Sequence, residues 1–125
     1  MSHLSKIEIE VTDIRVLAAA CQRLNLIFQE GKNKFIWFNG HADCNHAILI
    51  PGAKYEVGVI NNGKRYDIKC DFFDSGIAKS IGKNGGRLKQ AYAAEKTIIE
   101  ARRKGYSVIE TITEDKVRIR LRVDA

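Results

Sequence analysis

The residue order predicts an α+β fold: an antiparallel sheet with two helices packed on one face, in the order β-α-β-β-β-β-α-β-β. Three observations carry this. Apolar and polar residues alternate through several short runs, as half-buried strands require. Turn-forming breaks at Gly31-Lys32-Asn33, Asn39-Gly40, Pro51-Gly52 and Asn61-Asn62-Gly63 separate the central runs. Breaks that short join neighbours as hairpins, which makes them antiparallel. Two stretches keep helical spacing over several turns, and both are amphipathic.

Ile7, Ile9 and Val11 alternate with Glu8 and Glu10, giving a first strand with a polar outer face. Thr12 and Asp13 offer an N-cap. Ile14, Leu17, Ala18, Cys21 and Leu24 then follow at helical spacing. Leu26 and Phe28 open a second strand, which Phe35 to Phe38 resume after the turn at 31–33. Ala47 to Ile50 is extended until Pro51-Gly52 stops it. Tyr55 to Ile60 and Tyr66 to Phe72 flank the Asn-Gly turn. In the latter run Tyr66, Ile68, Cys70 and Phe72 share one face. Residues 74–86 read as irregular, polar and glycine-rich. A long helix is expected from Arg87 to Lys104, ended by the basic run 102–104 and by Gly105; cations and then glycine suit a helix C-terminus. Val108 to Thr113 and Val117 to Val123 form a last hairpin around Glu114-Asp115.

The 125 residues fit a single domain spanning 1–125, large enough to fold without a metal or disulfide. Three cysteines, an odd number in three separate segments, are expected to be free thiols in a reducing, cytoplasmic setting. No apolar run approaches the ~20 residues that cross a bilayer, and the opening residues lack a leader-like stretch, so neither membrane nor secretion is expected. The net charge of +6 favours anionic partners.

Met1-Ser2-His3-Leu4-Ser5, Pro51-Gly52 before Tyr55-Glu56-Val57-Gly58, Asp71-Phe72-Phe73, Gln90-Ala91-Tyr92-Ala93 and Gly105-Tyr106 occur in an order that resembles the domain-of-unknown-function family 1257. That family includes a plastid reading frame and relatives in cyanobacteria, other bacteria and phages. The resemblance implies a small cytoplasmic or stromal protein. It brings no established activity and no site residues. The glycine loop at 82–86 is not among the resembling motifs.

Four constellations carry chemical content. Ile81-Gly82-Lys83-Asn84-Gly85-Gly86-Arg87 has the form of a GxxG loop opening a helix. Gly82 and Gly85 would admit a nucleic-acid backbone, while Lys83 and Arg87 meet phosphates; the plainer reading is a soluble surface loop. Arg118, Arg120 and Arg122 alternate along one strand, about 6–7 Å apart on one face, and would track phosphates. They would equally be neutralised if that strand lay beside Glu8 and Glu10. His41, Asp43, Cys44 and His46 are metal-ligand types in a spacing that matches no standard zinc module, and a polar loop is the simpler account. Tyr92 and Glu95 share a helix face within possible reach of Cys21 or His46; Tyr92 otherwise reads as a core aromatic with a bonded hydroxyl.

No Walker loop, nucleophile elbow or zinc-protease motif is present, so no catalytic residue and no cofactor is assigned. The expectation is a non-catalytic binding module for an anionic partner, nucleic acid or nucleotide-like, using Gly82, Lys83, Gly85, Arg87, Arg118, Arg120 and Arg122. The alternatives are a regulatory or adaptor subunit recognising another protein through an exposed sheet edge or an aromatic patch near Trp37 and Phe38, and, from the phage relatives, an oligomer sequestering a signalling nucleotide.

Overall fold

The computed structural model describes residues 4–113 and 116–123, with the backbone alone for 111–113, 116–118 and 121–123. Its fold is α+β and every strand pairing is antiparallel. The main sheet has five strands: β1 (Ser5–Val11), β2 (Ile27–Glu30), β5 (His46–Leu49), β6 (Val57–Asn61) and β7 (Tyr66–Cys70), in the spatial order β1-β7-β6-β5-β2. β3 (Lys34–Trp37) and β4 (Gly40–Asp43) form a separate hairpin, as do β8 (Tyr106–Thr113) and β9 (Lys116–Val123). The helices are α1 (Ile14–Arg23), α2 (Ser75–Ile81) and α3 (Gly86–Arg103).

The strand alternation sorts side chains onto two faces. Ile7, Ile48, Val57, Val59, Ile68 and Cys70 join Val16, Leu17, Ala20 and Cys21 of α1, Ile77 and Ile81 of α2, and Leu88, Ala91 and Tyr92 of α3 in one core. All three helices therefore lie on the same side of the sheet. On the other side Phe35 and Cys44 of the β3–β4 hairpin cover Ala47 in a second, smaller core. The Phe35 ring can settle there because Gly58 has no side chain.

Two elements were not foreseen. Residues 75–81 are helical, because Asp74 accepts from the Gly76 amide at 2.9 Å and so caps α2, and because Ile77 and Ile81 recur one turn apart on the core face. Glycines at 76 and 82 concealed that signal. Residues 40–43 are a strand because the chain turns back on β3 through Phe38-Asn39, with Gly40 paired to Trp37, instead of ending the extended structure.

The final hairpin does not join the main sheet. β1 pairs with β7, Glu10 meets Arg65 at 3.2 Å, and Lys6 meets Asp67 at 3.3 Å. Among the described residues β9 pairs with β8 and not with β1, so its arginines are not set in a ladder beside Glu8 and Glu10. The hairpin lies on α3 instead, where Ile119 faces Gln90, Ala93, Ala94 and Thr97. The expected turn at Glu114-Asp115 lies outside the described residues.

Candidate functional site

The predicted anion-binding residues fall at two places. Gly82 ends α2, with its N–H donating to the Ala78 carbonyl at 2.9 Å. Lys83–Gly85 form one 3-10 turn, and Arg87 stands in the first turn of α3. Both glycines answer to the chain itself. A Cβ on Gly85 would stand 2.7 Å from Ile7 Cγ2, and one on Gly82 would stand 2.8 Å from the Arg87 amide; φ is +75° and +84° respectively, a region closed to most L residues. The Gly85 N–H donates to the Gly82 carbonyl at 3.0 Å, and the Gly86 N–H to that of Lys83. What the corner offers outward is thus its side chains. Lys83 and Arg87 are exposed, and Arg87 Nη1 reaches back to the Lys79 carbonyl at 3.4 Å. That contact draws Lys79, the exposed cation at the end of α2, into the same corner. Among the described residues none of the three forms an ion pair.

In β9 the backbone register sets Arg118 opposite Thr111, Arg120 opposite Ile109 and Arg122 opposite Ser107. Arg120 is exposed beside the exposed Ile109. The side chains of Arg118 and Arg122 lie outside those described.

Elsewhere one ion-pair network joins three elements. Arg23, at the end of α1, donates to Glu95 of α3 through Nη2 at 2.8 Å and Nε at 3.0 Å, and its Nη1 donates to Glu110 of β8. This network pins the last hairpin to both helices. The hydrogen bond from Arg23 holds the Glu110 carboxyl below its ordinary range, and the Glu110 carboxylate raises the Arg23 guanidinium. Sequence reading gave Arg23 no role, because its partners lie 72 and 87 residues away. Glu95 is therefore occupied by Arg23 and is not available to Cys21 or His46. The Tyr92 hydroxyl accepts from the amides of Thr12 at 3.2 Å and Asp13 at 3.4 Å, the behaviour of a core tyrosine.

The metal-ligand types of the 41–46 segment disperse. Lys34 donates to Asp43 at 2.7 Å and holds its carboxyl low by that hydrogen bond. The Cys44 thiol donates to the Lys32 carbonyl at 3.1 Å. His46 accepts the Gly31 N–H on Nδ1 at 3.0 Å and stacks on Phe28, with centroids 5.5 Å apart. Among the described residues no three such side chains gather where they would hold a metal. All three cysteines are free and buried, and burial pushes Cys21 and Cys70 up to about 12. Among the described residues no helix is long and apolar enough to cross a membrane.

The aromatic patch foreseen near Trp37 and Phe38 takes definite form. Phe38 is 55% exposed and Phe73 66% exposed, and their rings meet edge to face at 6.1 Å. Trp37 is half-buried against the smaller core.

A family model described as "Protein of unknown function (DUF1257)" matches residues 20–122. The opening motif at residues 1–5 thus lies outside the match, and the other resembling motifs lie within it. No curated protein and no solved structure matches the chain.

Proposed function

The chain belongs to the DUF1257 family, and from its surface chemistry we propose that it is a non-catalytic binding module for an anionic partner, a nucleic acid or a nucleotide-like ligand. One observation carries the reading: the protein's excess positive charge sits on one continuous segment. Residues 79–104 hold eight basic and two acidic side chains, an excess equal to the whole chain's +6. One of the two acids, Glu95, is already occupied by Arg23. Lys79, Lys83 and Arg87 stand at one end of this segment and Arg102, Arg103 and Lys104 at the other, all exposed. Cations that form no ion pair among the described residues, spread along about 27 Å of helix at 1.5 Å per residue, suit an extended polyanion better than a compact one. A cytoplasmic location fits the three free buried thiols.

Anisotropy of a labelled oligothymidylate, titrated with the protein at two salt concentrations, tests the reading. The expected result is binding that weakens steeply with salt. Binding of neither oligonucleotides nor nucleotides at low salt overturns it.

The exposed Phe38–Phe73 pair favours a second reading, an adaptor that recognises another protein through apolar contacts. Such binding would change little with salt.

A further inference from the structure

The Phe38–Phe73 pair is mounted rigidly. Asp71 is 1% exposed and accepts the Phe73 amide on Oδ1 at 3.0 Å. Asp74 accepts the amides of Lys54 at 2.6 Å and Tyr55 at 2.8 Å on Oδ2, while its Oδ1 caps α2. Glu56 accepts the Ile36 amide at 2.9 Å and donates its own amide to the Ile36 carbonyl at 2.9 Å. Three carboxylates thereby fix the backbone beneath the rings. The rings themselves are left in water, where they contribute little to the core.

Cations flank this corner. Lys54 is exposed, sits one hydrogen bond from Asp74, and holds its ammonium over the Tyr55 ring at 5.8 Å. α2 starts just after Phe73 and ends beside Lys79 and Lys83. Its seven residues span about 10 Å, so the aromatic corner and the basic corner stand at the two ends of one short helix.

We infer that Phe38 and Phe73 form a base-stacking subsite for a single-stranded nucleic acid, whose phosphates Lys54 meets at the rings and Lys79, Lys83 and Arg87 meet further along α2. The inference rests on the anionic-partner reading and gives it a ligand class. Size and charge both select this occupant. Two phenyl rings offer far less than the roughly 800 Å² per partner of a standard protein interface, whereas a base needs a single ring face. The neighbouring lysines complement phosphate, and a strand with splayed bases presents phosphates and ring faces together.

Trp37 is the only tryptophan and adjoins Phe38, so its fluorescence reports occupancy. The test titrates oligothymidylate, and an abasic phosphodiester strand of equal length, into the unaltered protein, the Phe38→Ala/Phe73→Ala variant and the Lys83→Ala/Arg87→Ala variant. Thermal melts run alongside to show that each is folded. The expected result is Trp37 quenching by oligothymidylate only. The aromatic variant should bind oligothymidylate about tenfold or more weakly, since each stacked base contributes about 1–3 kcal/mol, and should bind the abasic strand as the unaltered protein does. If the aromatic variant binds oligothymidylate like the unaltered protein while the basic variant loses affinity, the stacking subsite is wrong and the anionic-partner reading stands. If the unaltered protein binds neither strand, both fail. Binding of a protein ligand at these rings that ignores salt, without oligonucleotide binding, also overturns the subsite.

Discussion

The Phe35 ring occupies the space above Gly58 so closely that a Cβ built there would stand 2.3 Å from Phe35 Cε1. This contact seats the β3–β4 hairpin on the main sheet and sets where Trp37 and Phe38 emerge. Gly58→Ala should displace the ring and cost about 1–3 kcal/mol by overpacking. Urea unfolding followed by Trp37 fluorescence measures it. An unchanged midpoint would show that the hairpin is held by other contacts, with Glu56 the first to examine.

The Arg23 network should give stability a pH signature. Glu110 lies below its ordinary 4.5 when folded because Arg23 hydrogen-bonds its carboxylate. A depressed acid stabilises fully above its unfolded value and loses that contribution as pH falls through the folded value. Thermal melts should thus fall as pH drops below about 4.5. Glu110→Gln should be less stable at pH 7 and show a shallower fall over the acid window. Parallel curves for the two proteins would remove Glu110 from the account.

Burial governs the thiols. Cys21 and Cys70 are pushed up to about 12, and the reactive species is the thiolate. Alkylation at pH 8 with mass-spectrometric counting should leave both unmodified in the native protein and label all three cysteines in urea. Cys44, also raised by burial, should react slowly. Rapid native labelling of Cys21 would mean that α1 opens far more often than its core position implies.

At the α2–α3 corner, packing and ligand chemistry should separate. Gly85→Ala would force a Cβ toward Ile7 and strain a positive φ, costing about 1–3 kcal/mol while leaving salt-dependent binding intact at temperatures where the variant stays folded. Lys83→Ala/Arg87→Ala touches exposed side chains and should leave the melt nearly unchanged. It should lower the salt slope for a single strand by about 1.4, since each lost phosphate contact removes about 0.7. A steep slope retained by that variant would move the phosphate contacts to the α3 C-terminus or to Arg120.

Local residue patterns are enough to settle the α+β class, the antiparallel pairing, both long helices and which strand face is apolar. Each follows from interactions within a few residues: period-two alternation in Ile7, Ile9 and Val11, the Asp13 cap, the Asn62-Gly63 turn, and Gly105 ending α3. They also locate the exposed cations Lys83, Arg87 and Arg120. Tertiary structure decided what depends on distant partners. Ile77 and Ile81 make α2 a helix by burying against a sheet folded from other segments. Gly82 and Gly85 are glycines because Arg87 and Ile7 crowd them, which no local pattern distinguishes from a ligand loop. The last hairpin lies on α3 because Arg23 reaches Glu95 and Glu110 across the fold. Phe38 and Phe73, 35 residues apart in the chain, become neighbours once the β3–β4 hairpin folds over Gly58.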